Sequence, residues 1–247
     1  MFLLLVGCGG GGQKDTPAYA SLLSGNWEFV LTQNPPSTAV KIESGFLVQS
    51  GNSLAGNVLL SGAALCPGLG SVQGHVNGST VALTVTQIAQ TVNLTGTVVG
   101  DGSSMSGNYS IYAQGCGGGS TDGTWTATPV KPLNGTYQAA FTSTWTSGLV
   151  YDYAVTVAQG SNTGSSTGVL AGSMTSTNAP CASNLSIAGL VGGTSVVFNL
   201  LSSDGSAVGQ FRGSTSTDAT TLTGTYDFLA QNNGCSGDAG MVTMTLR

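Results

Sequence analysis

The fold of this chain is decided by two neighbouring stretches, Val81-Ala82-Leu83-Thr84-Val85-Thr86 and Val92-Asn93-Leu94-Thr95-Gly96-Thr97-Val98. Apolar and polar residues alternate along both, and a period of two indicates β-strands that bury one face. Helical periodicity is hard to find anywhere in the 247 residues. Short β-rich runs are separated by tight-turn pairs that need positive φ, such as Asn77-Gly78, Asp101-Gly102 and Asp204-Gly205. The sequence therefore predicts an all-β protein built from successive hairpins.

The chain also contains two copies of one unit, because five short motifs recur in the same order. The matched motifs are Leu23-Ser24-Gly25-Asn26-Trp27 with Leu133-Asn134-Gly135-Thr136-Tyr137, Leu54-Ala55-Gly56 with Leu170-Ala171-Gly172, Val72-Gln73-Gly74 with Ile187-Ala188-Gly189, Ser106-Gly107-Asn108-Tyr109 with Thr223-Gly224-Thr225-Tyr226, and Gly115-Cys116 with Gly234-Cys235. Two prolines between the copies, Pro129 and Pro132, mark a linker with its boundary near Lys131. We expect an N-terminal segment over 1–20, a first unit over 21–130 and a second over 131–247.

Each copy holds about eight strand-like runs, which in the first copy centre near Trp27, Ile42, Leu54, Val72, Leu83, Leu94, Tyr109 and Trp125. Eight hairpin-linked strands predict an antiparallel up-and-down barrel, with a two-sheet sandwich as the alternative. The strand starts Gly25-Asn26-Trp27 and Gly224-Thr225-Tyr226 resemble those of avidin-like and lipocalin-like barrels. That resemblance implies a barrel able to hold a small apolar ligand. Biotin binding is not implied, because only Trp27, Trp125 and Trp145 are present to line a pocket.

The cysteines follow the repeat. Cys66 and Cys116 lie in the first copy and Cys181 and Cys235 in the second, so of the three possible pairings the repeat favours one disulfide within each copy. Such bridges require an oxidising, extracytoplasmic compartment. A zinc site is not favoured, because Cys-x-x-Cys is missing and the single histidine, His75, corresponds to Leu190 in the second copy.

The N-terminal residues bear on where the protein is located in the cell. Leu5-Val6-Gly7-Cys8 follows an apolar run and resembles a bacterial lipobox, which implies acylation of Cys8 and a Gly-rich tether behind it. The run is short and no Lys or Arg precedes it, so we expect a truncated signal. The alternative is that Cys8 is an ordinary thiol. Gly9 after the cysteine favours the outer membrane over the inner membrane as the site of attachment.

Composition excludes some partners. Only 5 Lys and Arg stand against 10 Asp and Glu, and the pI is near 4.3. Nucleic-acid binding needs clustered basic residues, so it is excluded. We expect no cofactor, since Gly117-Gly118-Gly119 lacks the helix start and Lys of a phosphate loop.

Catalysis is not predicted either. His75 beside Ser71 or Ser79 is the best imaginable pair, and the second copy lacks it. Five aspartates beside Gly, Ser or Thr are typical of turns, where a carboxylate accepts bonds from nearby backbone N–H groups: Asp101, Asp122, Asp204, Asp218 and Asp238. The large aromatics Trp27, Trp125, Tyr137 and Trp145 are expected to fill cores.

Two functions therefore stay open. The first is a lipid-anchored carrier in the bacterial cell envelope that holds a small apolar ligand inside a barrel. The second is a structural or adhesive surface protein that uses its hydroxyl-rich outer faces to contact a partner, with its barrels packed solid. An enzyme is the third and least favoured class. Whether the barrels are hollow or filled separates the first two.

Overall fold

A computed structural model describes residues 23–35, 40–61, 68–113, 120–160, 168–179, 182–230 and 236–247. The described chain forms sixteen antiparallel β-strands that close into two separate barrels of eight strands each. This confirms the predicted all-β fold with two tandem up-and-down barrels and decides against the sandwich.

Barrel 1 comprises eight strands in chain order: β1 (Gly25–Gln33), β2 (Val40–Ser50), β3 (Ser53–Ser61), β4 (Gly68–Asn77), β5 (Thr80–Gln87), β6 (Gln90–Val98), β7 (Met105–Ala113) and β8 (Thr121–Val130). Barrel 2 repeats the pattern with β9 (Asn134–Ser143), β10 (Val150–Gln159), β11 (Gly168–Thr175), β12 (Asn184–Gly192), β13 (Ser195–Leu201), β14 (Ala207–Thr215), β15 (Thr221–Phe228) and β16 (Asp238–Leu246). The lower end of each barrel is the end at which its first strand begins, and the upper end is the one at which that strand finishes.

Each barrel closes because its first and last strands pair. In barrel 1, β1 pairs with β8 from Asn26 opposite Val130 to Gln33 opposite Gly123. In barrel 2, β16 pairs with β9 in the same manner. Alternate residues then point inward, as in β5, where Val81, Leu83 and Val85 are buried. The period of two in the sequence is thus the alternation between the interior and the outer wall.

Glycines stand where neighbouring strands approach most closely. A Cβ at Gly107 in β7 would lie 1.9 Å from the carbonyl oxygen of Thr95. At the equivalent Gly224 in β15 it would lie 2.3 Å from the carbonyl oxygen of Arg212. No side chain fits at these distances, so glycine allows the strong strand coiling of a small barrel.

The lower end of each barrel is fastened by the same device. Gln49 accepts the N–H of Leu23 on its side-chain oxygen at 3.1 Å and donates its own backbone N–H to the Ser24 hydroxyl at 2.9 Å. In barrel 2, Gln159 accepts the N–H of Leu133 at 2.9 Å and donates its backbone N–H to the Asn134 side chain at 2.8 Å. The two copies therefore begin their first strands through the same pair of hydrogen bonds.

Candidate functional site

The interior of barrel 1 is filled by its own side chains. Trp27, Phe29 and Trp125 are each only 1% exposed, and the Phe29 and Trp125 rings lie 6.1 Å apart. Both indoles are satisfied, since Trp27 donates to the carbonyl of Leu23 at 2.9 Å and Trp125 to that of Asn108 at 3.1 Å. These rings therefore occupy the space in which a barrel of this size would hold a ligand.

Barrel 2 is filled in the same way. Phe198 and Phe211 stack with ring centroids 4.6 Å apart, and Phe141 lies 4.9 Å from Tyr153. All four are buried, and the Tyr137 hydroxyl donates to the carbonyl of Ala219 at 2.7 Å. The expectation that Trp27, Trp125 and Tyr137 fill cores is confirmed. For Trp145 it is wrong, because this residue lies in the β9–β10 connection and is 65% exposed.

A polar network lies at the upper end of barrel 2. The Asp238 carboxylate, 7% exposed, accepts the Ser143 hydroxyl at 2.6 Å and the Tyr226 hydroxyl at 2.5 Å. Ser143 in turn accepts the backbone N–H groups of Trp145 and Thr146. The network thus joins β9, β15 and β16 to the β9–β10 connection, and it stabilises this end of the barrel.

The tyrosines of this region stay protonated. Burial, followed by the neighbouring Asp238 carboxylate, raises the pKa of Tyr226 and of Tyr151, and burial raises the pKa of Tyr153. A phenol with a raised pKa donates hydrogen bonds and does not act as a base near neutral pH. Tyr226 therefore serves as a hydrogen-bond donor that helps to hold the barrel end together.

The turn aspartates divide into two groups. Asp101, Asp204 and Asp218 each accept the backbone N–H of the second residue beyond them, which confirms the prediction for these three. Hydrogen bonds from the Ser216 and Thr220 side chains lower the pKa of Asp218 to about 2. Asp122 and Asp238 instead belong to strands β8 and β16, and for them the turn prediction is wrong.

The residues considered for catalysis, His75 with Ser71 or Ser79, do not form a hydrogen-bonded pair among the described residues. His75 lies on the outer wall of β4, exposed, and within the described chain no hydrogen bond joins it to Ser71 or Ser79. Groups of three or more metal-ligating side chains are likewise missing from the described residues.

The described part of the chain also forms no helix long and apolar enough to cross a bilayer. All five cysteines lie outside the described residues, namely Cys8, Cys66, Cys116, Cys181 and Cys235.

The two barrels meet at a polar junction that the sequence analysis missed. The side-chain amides of Asn26 and Gln159 exchange hydrogen bonds of 2.9 and 3.1 Å. The Thr194 hydroxyl, in the β12–β13 turn, lies 2.8 Å from that of Ser44 and donates to Glu28 at 3.2 Å. The lower end of barrel 2 thus sits on the outer wall of β1 and β2.

An apolar signal in the sequence marks this junction. Phe46 and Val48 occupy outward positions of β2, since Leu47 between them points into the core. Outward apolar residues on a strand indicate a covered wall, and Phe46 is only 7% exposed. Beside them lies an open cleft of about 760 Å³, whose further walls include Pro129 and Asp218.

The outer wall of β4–β8 in barrel 1 is uncharged over most of its area. Between Ser71 and Thr128, the outward strand positions hold one charged side chain, Asp122. At the upper end of this wall, around the β5–β6 turn, lies a depression of about 270 Å³. Its lining residues are Gln87, Ile88, Ala89, Gln90, Thr91 and Tyr112. Tyr112 is 58% exposed, so more than half of an aromatic residue is accessible to solvent there.

Comparison with known proteins found no family model that matches this chain and no curated protein that is similar to it. The function is therefore argued from the residues and contacts described above.

Proposed function

We propose that this protein is a structural or adhesive module of the bacterial cell surface, anchored through lipid and free of ligand inside its barrels. The observation that carries this proposal is the filling of both interiors by buried aromatic side chains, among them Trp27, Phe29, Trp125, Phe141 and Phe211. A module of this kind makes its contacts through the outer walls. Two rigid, packed barrels hold those walls in fixed positions.

The alternative is a carrier with a small apolar ligand inside a barrel. Eight strands leave room either for inward side chains or for one small molecule. Here buried Trp and Phe rings belong to the core of each barrel, and the Phe198 and Phe211 rings are stacked on each other. Ligand entry would require these rings to leave, so the geometry supports the packed module better than the carrier.

The proposed anchor is Cys8, on the strength of Leu5-Val6-Gly7-Cys8 and the Gly-rich stretch behind it. The described chain begins at Leu23, at the lower end of barrel 1. A tether joined there leaves the upper end of barrel 1, with Ile88 and Tyr112, pointing away from the attachment point. The outer membrane is the proposed location.

Two disulfides, Cys66 with Cys116 and Cys181 with Cys235, belong to the same proposal. Cys66 falls between β3 and β4, and Cys116 falls between β7 and β8. Both connections leave the upper end of barrel 1, and those that contain Cys181 and Cys235 leave the upper end of barrel 2. The described strands therefore bring the flanks of each pair to one barrel end, which supports pairing within each copy.

Native mass spectrometry of the unreduced chain, before and after incubation with a host lipid extract, tests the packed state. We expect bare protein, roughly 4 Da lighter than the reduced chain because each bridge removes two hydrogens. A discrete bound mass that disappears on denaturation would identify a carrier and overturn the proposal.

The anchor and the adhesive role are tested on cells. We expect a labelled fatty acid to be incorporated into the chain and not into a Cys8→Ala variant. Cells that display the anchored chain should adhere to other cells or to surfaces more strongly than cells that produce Cys8→Ala. Equal adhesion by both strains would contradict the adhesive role.

A further inference from the structure

The outer wall of barrel 1 presents regular rows of uncharged hydrogen-bonding groups. One row crosses five strands through His75, Ala82, Thr95, Asn108 and Thr124, each directly opposite the next. All except Ala82 are exposed. Strands lie about 4.8 Å apart, so the row is roughly 19 Å long. Three neighbouring positions of the row, Thr95, Asn108 and Thr124, therefore present a hydroxyl or an amide that donates and accepts on an extended, convex surface.

The same row of barrel 2 has a different chemistry. Its five residues, in the equivalent register, are Leu190, Val197, Arg212, Thr225 and Met241. Two exposed apolar residues and one cation have replaced the hydroxyl and amide pattern. Because both walls are built on the same backbone, folding alone does not require a hydroxyl or an amide at Thr95 and Thr124 of barrel 1.

An aromatic depression continues this wall at its upper end. Tyr112 lies opposite Thr91, one row above Asn93 and Ser110. The amides of Gln87 and Gln90 line the same depression and hydrogen-bond to each other at 2.5 Å. An exposed ring beside amide groups provides both an apolar face and hydrogen-bonding partners at one place. The equivalent position in barrel 2 is Leu229, which has no ring.

We infer that this wall of barrel 1 binds a neutral polysaccharide, with one sugar ring stacked on Tyr112 and the chain continuing along the hydroxyl rows. This inference rests on the proposed adhesive function and names its partner. A sugar ring has an apolar C–H face for stacking and equatorial hydroxyls for the amides. A partner with many charges is disfavoured, because the described strands of this wall offer no outward Lys or Arg to an anionic chain and only Asp122 to a cationic one.

Orientation agrees with this assignment. Tyr112 and Ile88 stand at the upper end of barrel 1, opposite the lower end at which Leu23 begins the described chain. A flexible tether joined at the lower end leaves the depression at the end of the barrel that is remote from the attachment point. Many weak contacts repeated along a polymer provide strength through multivalency, as adhesion requires.

Affinity electrophoresis of the full chain tests the inference, with dextran, mannan or a soluble β-glucan cast into native gels. We expect at least one of these neutral polysaccharides to retard the protein, and added salt to leave the retardation unchanged. Tyr112→Ala should weaken the apparent affinity by about tenfold or more. The matched control is Leu229→Ala, the equivalent position of barrel 2, which should behave as the unmodified chain.

A second matched pair tests the hydroxyl rows. Asn108→Lys places a charge within the wall of barrel 1, and Thr225→Lys places it at the equivalent exposed position of barrel 2. We expect loss of retardation for the first variant alone. Retardation by none of the neutral polysaccharides, equal behaviour within both pairs, or retardation only by alginate at low salt would each overturn the inference. If cells displaying the chain still adhere in that case, the adhesive function stands and its partner is another class of molecule.

Discussion

The β12–β13 turn of barrel 2 and the β4–β5 turn of barrel 1 have the same backbone and different surroundings. Gly193 and Gly78 stand at equivalent positions with φ of 57° and 56°. A Cβ on Gly193 would lie 2.2 Å from the carbonyl oxygen of Trp27, whereas one on Gly78 would have nothing within 4 Å. Duplication therefore kept the turn, and only one of its two copies became a contact between barrels.

The receiving surface shows the same divergence. In barrel 1 the wall of β1 and β2 offers Asn26, Ser44 and Phe46, all buried beneath barrel 2. The equivalent wall of barrel 2 carries Thr136, Ala154 and Thr156, none of them buried. A head-to-tail contact between similar units propagates without end unless the donor or the acceptor surface is altered. Here the turn is kept and the acceptor wall of barrel 2 is altered, so that wall does not offer the side chains that receive the β12–β13 turn on barrel 1.

The largest expected effect comes from the cores, where the equivalent positions are Trp125 and Val242. Trp125→Ala should lower the free energy of unfolding by about 3–5 kcal/mol, because it empties the centre of barrel 1. Val242→Ala, which removes less volume, should cost about 2 kcal/mol. Urea unfolding followed by circular dichroism measures both. Equal, small losses would mean that barrel 1 is not packed around its tryptophan.

The difference between the two turns is tested by replacing each glycine with alanine, in the variants Gly193→Ala and Gly78→Ala. Positive φ should cost both variants about 1–2 kcal/mol. The steric conflict with the Trp27 carbonyl should add about 1–3 kcal/mol for Gly193→Ala alone. Thermal unfolding gives the difference in stability, and small-angle scattering reports whether the barrels separate. Identical melting temperatures would argue against the junction in solution.

The upper ends of the barrels differ at Asp238 and its equivalent, Thr121. Asp238→Ala leaves the buried Tyr226 and Ser143 hydroxyls without their acceptor, so we expect a loss of about 1–3 kcal/mol. The Thr121 hydroxyl is buried without a partner among the described residues, so Thr121→Val should be neutral or slightly stabilising. Denaturant titration of both variants tests the contrast, and a clear loss of stability for Thr121→Val would refute it.

The smallest effect is on the acid dependence of stability, at the equivalent turns of Asp101 and Asp218. Hydrogen bonds lower the pKa of both carboxyls in the folded chain, that of Asp218 to about 2. A lowered folded pKa stabilises the protein above the unfolded value and loses that contribution as the pH falls through the folded one.

Asp218→Asn should therefore flatten the decline in melting temperature between pH of about 4 and about 2. Asp101→Asn should do so less, because apart from its own backbone Asp101 accepts from one residue, Ser103, whereas Asp218 accepts from two, Ser216 and Thr220. A larger change for Asp101→Asn would reverse this ranking of the two turns.

Much of the fold was predictable because local rules act alike in both copies. The alternation in Val81–Thr86 and the Gly-containing turns predicted the hairpins, and the recurring motifs predicted two barrels. Closure itself depends on the pairing of β1 with β8, about a hundred residues apart, which alternation alone does not specify. Alternation therefore fits a two-sheet sandwich as well as a barrel, and the strand order distinguishes them.

The junction and the buried carboxylate were not predictable, for different reasons. Phe46 and Val48 carry a signal, since they are apolar at outward positions, but recognising it requires knowledge of which face of β2 is inward. Asp238 has the glycine neighbours that are typical of a turn. Its spacing of two from Gly240 and of four from Val242 places it on the inward face of β16. In both cases the strand register, and not the residue type, determines which face of the strand the side chain occupies.

Closure of the barrels also bears on how such a chain avoids aggregation. Strands rich in Val and Thr with few charges have the composition of segments that assemble into cross-β fibres. Most β-proteins protect an open sheet edge with lysines or prolines. Here every strand of both rings is paired on both sides, so the described strands offer no unpaired sheet edge to a second chain. Ring closure thus permits a surface almost devoid of charge. Unpaired edges are exposed only until β1 pairs with β8 and β9 pairs with β16.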